Sequence, residues 1–322
     1  LLSEGADVHA SDWDHNTVLH YLAAGNNVSG IRTVVSHGAV VDLLNTETKT
    51  ALYMAMENKA FDAVMCLIDL HASVKPKCTH MQLTALHLAA KHGETDLARI
   101  FLERGARVDS LSKEKITPLM HACENGHWPV AELLLSHGAD VLRKDCYGRV
   151  ALHFSCMSGN VECVRNVVEY DPSALEAVTR ASRMSPYSAW NAAMFAALSG
   201  SVEVSRYLRQ FLPNALQVQE ERCNCLFTAA EHGHHSLVKW ILAQDAYPPS
   251  LLDSAGILCG AILGKNKDVC ETLIQHGASV NAKANDGYTP VHFAVICDDP
   301  DMLDFLLSRG AHAEIPAHDG WT

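Results

Sequence analysis

The chain has 322 residues, of which 48% are apolar and 19% charged, and a formal charge of −12 from 25 basic and 37 acidic residues. This is globular composition, and the acidic excess argues against a surface built to neutralise phosphate; nothing in it resembles a basic stripe. Eleven cysteines are dispersed without paired spacing, which suits a reducing compartment, and no apolar run approaches the ~20 residues that span a bilayer.

In chain order, the predicted elements repeat. A short helix starts at Thr17, Thr50, Thr84, Thr117, Val150, Asn191, Asn224, Ala255 and Thr289, in steps of 33, 34, 33, 33, 41, 33, 31 and 34 residues. Thr322 falls 33 further on and begins another copy. A second marker keeps the same register: "SHGAVV" at 36–41, "ERGARV" at 103–108, "SHGADV" at 136–141, "QHGASV" at 275–280 and "SRGAHA" at 308–313. Such a period marks a repeat architecture.

Each part of the unit has a physical reason. Thr caps the helix, and Pro118 or Pro290 at the first helical position gives up an N–H that has no partner there. Leu19, Leu52, Leu86, Leu119 and Leu152 are core anchors, and small pairs such as Ala89-Ala90 and Ala229-Ala230 allow close helix approach. Gly93, Gly126, Gly159, Gly200 and Gly233 end the helix in the left-handed conformation. A second helix follows with i, i+3, i+4 apolar spacing, as in Leu97, Ile100 and Phe101. One such unit cannot bury its own apolar face, so copies stack.

T-P-L-H-x-A-A, x-x-G and L-L-x-x-G-A at this spacing resemble the ankyrin repeat, along the whole chain. The resemblance implies an all-α solenoid with β-hairpin fingers, a stack of about nine repeats plus partial terminal repeats, with fingers and first helices on the concave side. The division expected is a tail of a preceding repeat at 1–10, regular repeats 1–5 at 11–168, an irregular insertion at 169–190, degenerate to regular repeats 6–9 at 191–318, and the start of a truncated repeat at 319–322. The insertion, "DPSALEAVTRASRMSPYSAW", reads as an extended loop. Leu1 in place of Met, in the middle of a pattern and with no secretory signal, reads as an excerpt of a longer chain, cytoplasmic or nuclear.

Constellations for chemistry are weak. Among nineteen histidines, His20, His87, His153 and His292 fill the T-P-L-H slot, and His37, His71, His137 and His276 the end of the second helix; all eight read as structural. "CNC" at 223–225 and "HGHH" at 232–235 hold zinc-type ligands, but a helix separates Cys225 from His232 by roughly 10 Å, so no metal site is expected. "GAILGKN" at 260–266 lacks the spacing and the Ser/Thr of a phosphate loop; Gly256, Gly260 and Gly264 read as close-packing positions. With no protease or hydrolase signature, the expectation is no enzyme, no cofactor and no nucleic acid.

Function then belongs to finger tips and to the exposed end of each first helix. The candidate protein-binding residues are Trp13, Asp14, Lys49, Met81, Tyr147, Arg149, Tyr187, Trp190 and Tyr288 in fingers, with Trp321 beside them, and Lys91, His92, Glu124 and Asn125 at helix ends, where Glu231 and His232 also fall. Exposed aromatics and Arg dominate interface energetics; the competing role is packing on the next finger. Asn281 stands where the resemblance implies hydroxylation by an asparaginyl hydroxylase, although Ser279 replaces the usual acid, and an Asn that stabilises the turn is the preferred reading. The reading is a monomeric interaction scaffold binding proteins on the concave face; the alternative is a regulatory or targeting segment of a larger channel, kinase or ubiquitin-ligase receptor.

Overall fold

A computed structural model of the chain describes residues 7–180, 189–212, 225–244, 252–253, 256–284 and 287–320. It contains two compact units, Leu1–Phe154 and Ser155–Thr322.

The first unit alternates short inner and longer outer helices: α1 (Val18–Ala24) and α2 (Val28–Ser36), α3 (Ala51–Glu57) and α4 (Phe61–Asp69), α5 (Ala85–His92) and α6 (Thr95–Glu103), α7 (Pro118–Glu124) and α8 (Trp128–Ser136). Helix α9 (Ala151–Ser158) crosses into the second unit. Inner helices stack α1 on α3, α3 on α5 and α5 on α7; outer helices stack α2 on α4 and α6 on α8. The second unit continues with α10 (Val161–Tyr170), then α11 (Ala192–Ser199) and α12 (Val202–Arg209), α13 (Cys225–Glu231) and α14 (His235–Leu242), α15 (Ile257–Leu263) and α16 (Lys267–Gln275), α17 (Pro290–Ile296) and α18 (Pro300–Ser308).

Helix starts follow from the cap chemistry. Thr50 Oγ1 accepts from the Tyr53 N–H at 3.2 Å, and Thr117 Oγ1 from Met120 at the same distance. Where His stands three residues on, its Nδ1 accepts the cap residue's own N–H: Thr17 to His20 at 3.1 Å, and Thr84 to His87, Val150 to His153 and Thr289 to His292 at 3.0 Å. His thus takes the place of Glu in a capping box, its ring accepting the cap residue's N–H.

Nine residues after each cap, the backbone is left-handed. Gly93, Gly126, Gly159, Gly200 and Gly233 have φ of 70–79°, as expected, and Asn26, Lys59, Lys265 and Asp298 hold the same slot with φ of 47–56°. At Gly93 a Cβ would also meet His127 Nδ1 at 2.8 Å, so glycine is required there on two counts.

Two assignments change. His71 aligns with Gly38 and Gly138, not with His37, and takes their left-handed conformation (φ 64°); the outer-helix cap there is Leu70. Gly256 is a left-handed helix start with open space around it, whereas a Cβ at Gly260 would meet the Phe227 ring at 2.8 Å, so Gly260 is a close-packing position.

The connections between repeats are turns. No strand forms among the described residues, only the isolated bridges Ser11–Thr17 and Cys78–Leu83, so the β-hairpin fingers of the first unit reduce to turns closed by one or two backbone bonds. Asp12 donates to Asn16 at 3.1 Å, Asn45 to Lys49 at 3.0 Å, Cys78 to Leu83 at 2.6 Å, Ser112 to Ile116 at 3.0 Å and Asp145 to Arg149 at 3.0 Å; these are fingers one to five of the first unit. Within 169–190, a short 3-10 helix, Pro172–Glu176, is capped by Asp171, and the Thr179 N–H donates to the Trp190 carbonyl at 2.9 Å; residues 181–188 of the expected loop lie outside the described residues.

The core lies between helix layers. Leu19, Leu52, Leu86, Leu119 and Leu152 are buried, as are Ala89, Ala90, Ala229 and Ala230, and Phe101, Phe154 and Phe195 are among the largest fully enclosed side chains. Stacking removes this apolar surface from water, at roughly 25 cal/mol per Å².

Candidate protein-binding face

Fingers are joined to each other by main-chain bonds, which is what gives their tips a fixed spacing. The Thr46 N–H donates to the Asp14 carbonyl at 2.9 Å, Lys113 to Met81 at 2.8 Å and Cys146 to Glu114 at 3.0 Å. A deeper tie comes from the capping histidines: Nε2 of His20 lies 3.2 Å from the Lys49 carbonyl, and Nε2 of His87 3.2 Å from that of Ile116. Because Nδ1 accepts the cap N–H, Nε2 carries the proton and donates. Burial holds both imidazoles below their ordinary pKa, His87 down to about 3, so the neutral tautomer this bond needs is secured.

Against this frame the candidate residues separate. Trp13 is 98% exposed at the tip of finger one, with Asp14 exposed beside it. Lys91 and Asn125 are exposed, while His92 and Glu124 are half-buried. Glu124 Oε2 lies 3.4 Å from His121 Nδ1 in an electrostatic contact, since that nitrogen has no hydrogen-bond partner. Met81 is half-buried and serves its neighbour through its carbonyl.

Others are occupied by the fold. Lys49 Nζ is clamped between Glu47 and Glu57, 2.7 Å from each. Arg149 was expected exposed; it is buried, because its Nε donates to the buried Asp145 at 2.7 Å while the guanidinium lies over Tyr147 at 5.1 Å and Phe154 at 4.5 Å. Trp190 was expected at a surface finger; it is only 9% exposed, its N–H donates to Thr179 Oγ1 at 2.7 Å and its ring meets Phe195 edge-on at 5.4 Å. Tyr288 is half-buried, its hydroxyl 2.6 Å from Asp319 Oδ2 in the next turn. Tyr187 and Trp321 lie outside the described residues.

Asn281 is held at both ends of its amide: Oδ1 accepts from the His312 N–H at 2.8 Å and Nδ2 donates to the Gly310 carbonyl at 3.2 Å. These bonds fit the structural reading of Asn281.

The inner helices contribute residues the linear pattern did not single out. Four positions after the cap stand Tyr21, Met54, Leu88 and His121, and Tyr21 is 55% exposed with its hydroxyl on Asp12. The signal was present as a slot whose residue type changes from copy to copy.

The zinc-type side chains of 223–235 are occupied elsewhere where they are described. Cys223 lies outside the described residues, and Cys225 is buried with its thiol pushed up by burial to about 12, which disfavours the thiolate that binds metal. His232 Nδ1 is 3.0 Å from the Thr228 carbonyl, His234 Nε2 2.9 Å from that of Leu198, and His235 Nε2 2.8 Å from Thr272 Oγ1. Among the described residues no group of three or more His, Cys, Asp or Glu is arranged to hold a metal ion, and no helix is long and apolar enough to cross a membrane.

The comparisons with known proteins agree with this architecture. The family model described as ankyrin repeats matches residues 20–111, 67–145, 86–176 and 226–317, more than half of the chain. The chain is 39% identical over 123 residues to a probable E3 ubiquitin-protein ligase, XBOS33, of Oryza sativa subsp. japonica (37% of this chain, 24% of that protein). It is 33% identical over 172 residues to the B-cell lymphoma 3 protein homolog of Mus musculus (52% of this chain, 38% of that protein). The match to the transient receptor potential cation channel subfamily A member 1 of Drosophila melanogaster is 28% over 152 residues (46% of this chain, 13% of that protein). In each case the chain spans well under half of the relative's length. The human ASB11 ankyrin repeat domain superposes with a TM-score of 0.55 at 23% identity, covering 70% of this chain and 98% of that one, a likeness of fold. With the capped helix pairs, the left-handed slot and the finger turns in place, the chain belongs to the ankyrin-repeat family.

Proposed function

We propose that the chain is a non-catalytic scaffold that binds partner proteins, cytoplasmic or nuclear, through the face made by its finger tips and the exposed slots of its first helices, the concave side of an ankyrin stack. The single observation that carries this is Trp13. A 98% exposed indole at a finger tip satisfies no internal contact, while the fold spends Trp190 in packing. Large exposed aromatics concentrate binding energy. Tyr21 and the helix-end residues Lys91 and Asn125 extend the surface; Arg149 and Lys49 are held by the fold of the same unit. Ankyrin repeats being interaction modules in general, no catalytic step is assigned.

The test is affinity capture from a cytosolic extract with the wild-type chain, Trp13→Ala/Tyr21→Ala, and Trp190→Ala. A partner lost from the first variant, with helicity unchanged, supports the reading. Retention of every captured protein by that variant refutes it.

A second reading places the chain as the regulatory or targeting segment of a larger effector. What favours it is that relatives named as an E3 ubiquitin-protein ligase and as a cation channel match over only 24% and 13% of their own lengths. Sequencing the complete transcript decides it: a fused catalytic, transmembrane or degradation-recruiting segment supports this reading, and repeats alone refute it.

A further inference from the structure

Residues separated by one repeat in sequence become neighbours across adjacent fingers, and this gathers charges that the linear sequence disperses. On fingers three to five of the first unit, or immediately before them, stand Lys75 and Lys77, Lys113 and Lys115, and Arg143 and Lys144, all exposed. They lie in one succession because the fingers that carry them are bonded in series, Lys113 to Met81 and Cys146 to Glu114, and because Lys77 Nζ crosses to the Leu111 carbonyl of the next finger at 2.8 Å. The acids among them are few. Asp145 is buried and consumed by Arg149, Asp109 is turned to the Asp140 N–H at 3.3 Å, Glu114 is half-buried, and the exposed Asp140 accepts from the Leu142 N–H at 3.0 Å.

Fingers one and two carry the opposite sign. Asp12, Asp14 and Glu47 are exposed there, and the one lysine, Lys49, is neutralised by Glu47 and Glu57. The finger edge is therefore polarised, in a chain whose total charge is −12.

We propose that fingers three to five form a basic strip that receives an extended acidic segment of a partner protein, oriented by the acidic fingers at the other end. The proposal rests on the interaction reading above and names the chemistry of the partner. The spacing supports it: helix layers lie about 8–10 Å apart, and an extended chain advances about 3.3 Å per residue, so one carboxylate at about every third residue meets each finger. A segment of about nine residues spans the strip. A polyphosphate suits it less well, because Glu114 and the acidic fingers interrupt the field that a nucleic acid backbone needs. Charge complementarity of this kind sets orientation and association rate.

The experiment uses the 322-residue chain and a fluorescein-labelled peptide of about nine residues with Glu at every third position. Beside it run the same peptide with Gln for Glu, and a single-stranded oligothymidylate. The chains compared are wild type, Lys113→Glu/Lys115→Glu/Lys144→Glu, and the control Lys239→Glu on α14. The expected result is binding of the Glu peptide alone, weakened at least about tenfold by the triple reversal and unchanged by the control. Binding should also fall as salt rises from about 0.1 to 1 M, where the Debye length shrinks from about 10 to about 3 Å. Equal binding by the triple variant, equal binding of the Gln peptide, tighter binding of the oligonucleotide, or no binding at all would each overturn the proposal. Passing the same chains over an extract separates it from the broader reading. Proteins retained by wild type and lost with Trp13→Ala, without peptide binding, would remove the strip and leave the scaffold standing.

Discussion

His87 Nε2 donates to the carbonyl of Ile116, 29 residues on, at 3.2 Å, while its Nδ1 accepts the N–H of Thr84 at 3.0 Å. One buried imidazole thus closes a helix cap in its own repeat and holds the finger of the next. His20 does the same between Thr17 and Lys49.

Replacing His87 by Ala removes both bonds, leaves the buried Thr84 N–H unpaired beside a cavity, and leaves the Ile116 carbonyl with only its bond from the Ser112 N–H. The expected loss is about 2–4 kcal/mol, read from urea midpoints followed by circular dichroism. A loss below about 0.5 kcal/mol would mean that water replaces the imidazole at no cost. Because repeat arrays unfold with limited cooperativity, midpoints are compared within one transition.

The same histidine makes stability depend on pH. Its folded pKa, about 3, lies below the ordinary 6.5, so the fold favours the neutral base. The contribution is complete above 6.5 and is lost as pH falls from there toward about 3, at roughly 1.4 kcal/mol per pH unit. His20 is shifted in the same direction, by burial. Between pH 7 and pH 5 the wild-type midpoint should fall by more than that of His87→Ala. Parallel declines would show that carboxylates, not this imidazole, govern acid stability.

Lys59 holds a left-handed backbone (φ 56°) in the slot where Gly93 sits at φ 79°. Lys59→Gly should stabilise by about 0.5–1 kcal/mol, since relief of the Cβ clash outweighs the added freedom of the unfolded chain. Gly93→Ala should destabilise by more than that, because the new Cβ meets His127 Nδ1 at 2.8 Å as well. Thermal midpoints of the two variants should move in opposite directions, and a shift of the same sign would refute the slot assignment.

Trp13 and Trp190 should respond differently to truncation. Trp190→Ala empties a packed site beside Phe195 and is expected to cost about 3–5 kcal/mol. Trp13→Ala should stay within about 0.5 kcal/mol of wild type, as expected for a surface substitution. Paired denaturation curves decide this; equal losses would place Trp13 in the core as well.

The register of the array was legible in the sequence because its punctuation is local chemistry. A Thr cap needs only the next turn of its own chain, and a glycine ends a helix wherever the backbone turns left-handed, so Thr84, Thr117 and Gly93 announce themselves without a partner. The capping histidines were recognisable as structural, though not their tautomer.

Exposure was decided only by tertiary contacts. Trp13 and Trp190 occupy similar places in the linear pattern, yet one is 98% and the other 9% exposed, because Phe195 and the Thr179 backbone exist to cover only the second. Arg149 looked like a free cation until Asp145, four residues earlier, was seen buried against it. Lys77, Lys113 and Lys144 are far apart in sequence and successive across the bonded fingers. A repeat period tells which slots face one another, since that follows from spacing alone; which side chains remain uncovered depends on the particular neighbour each slot meets, and that is a property of the packed stack.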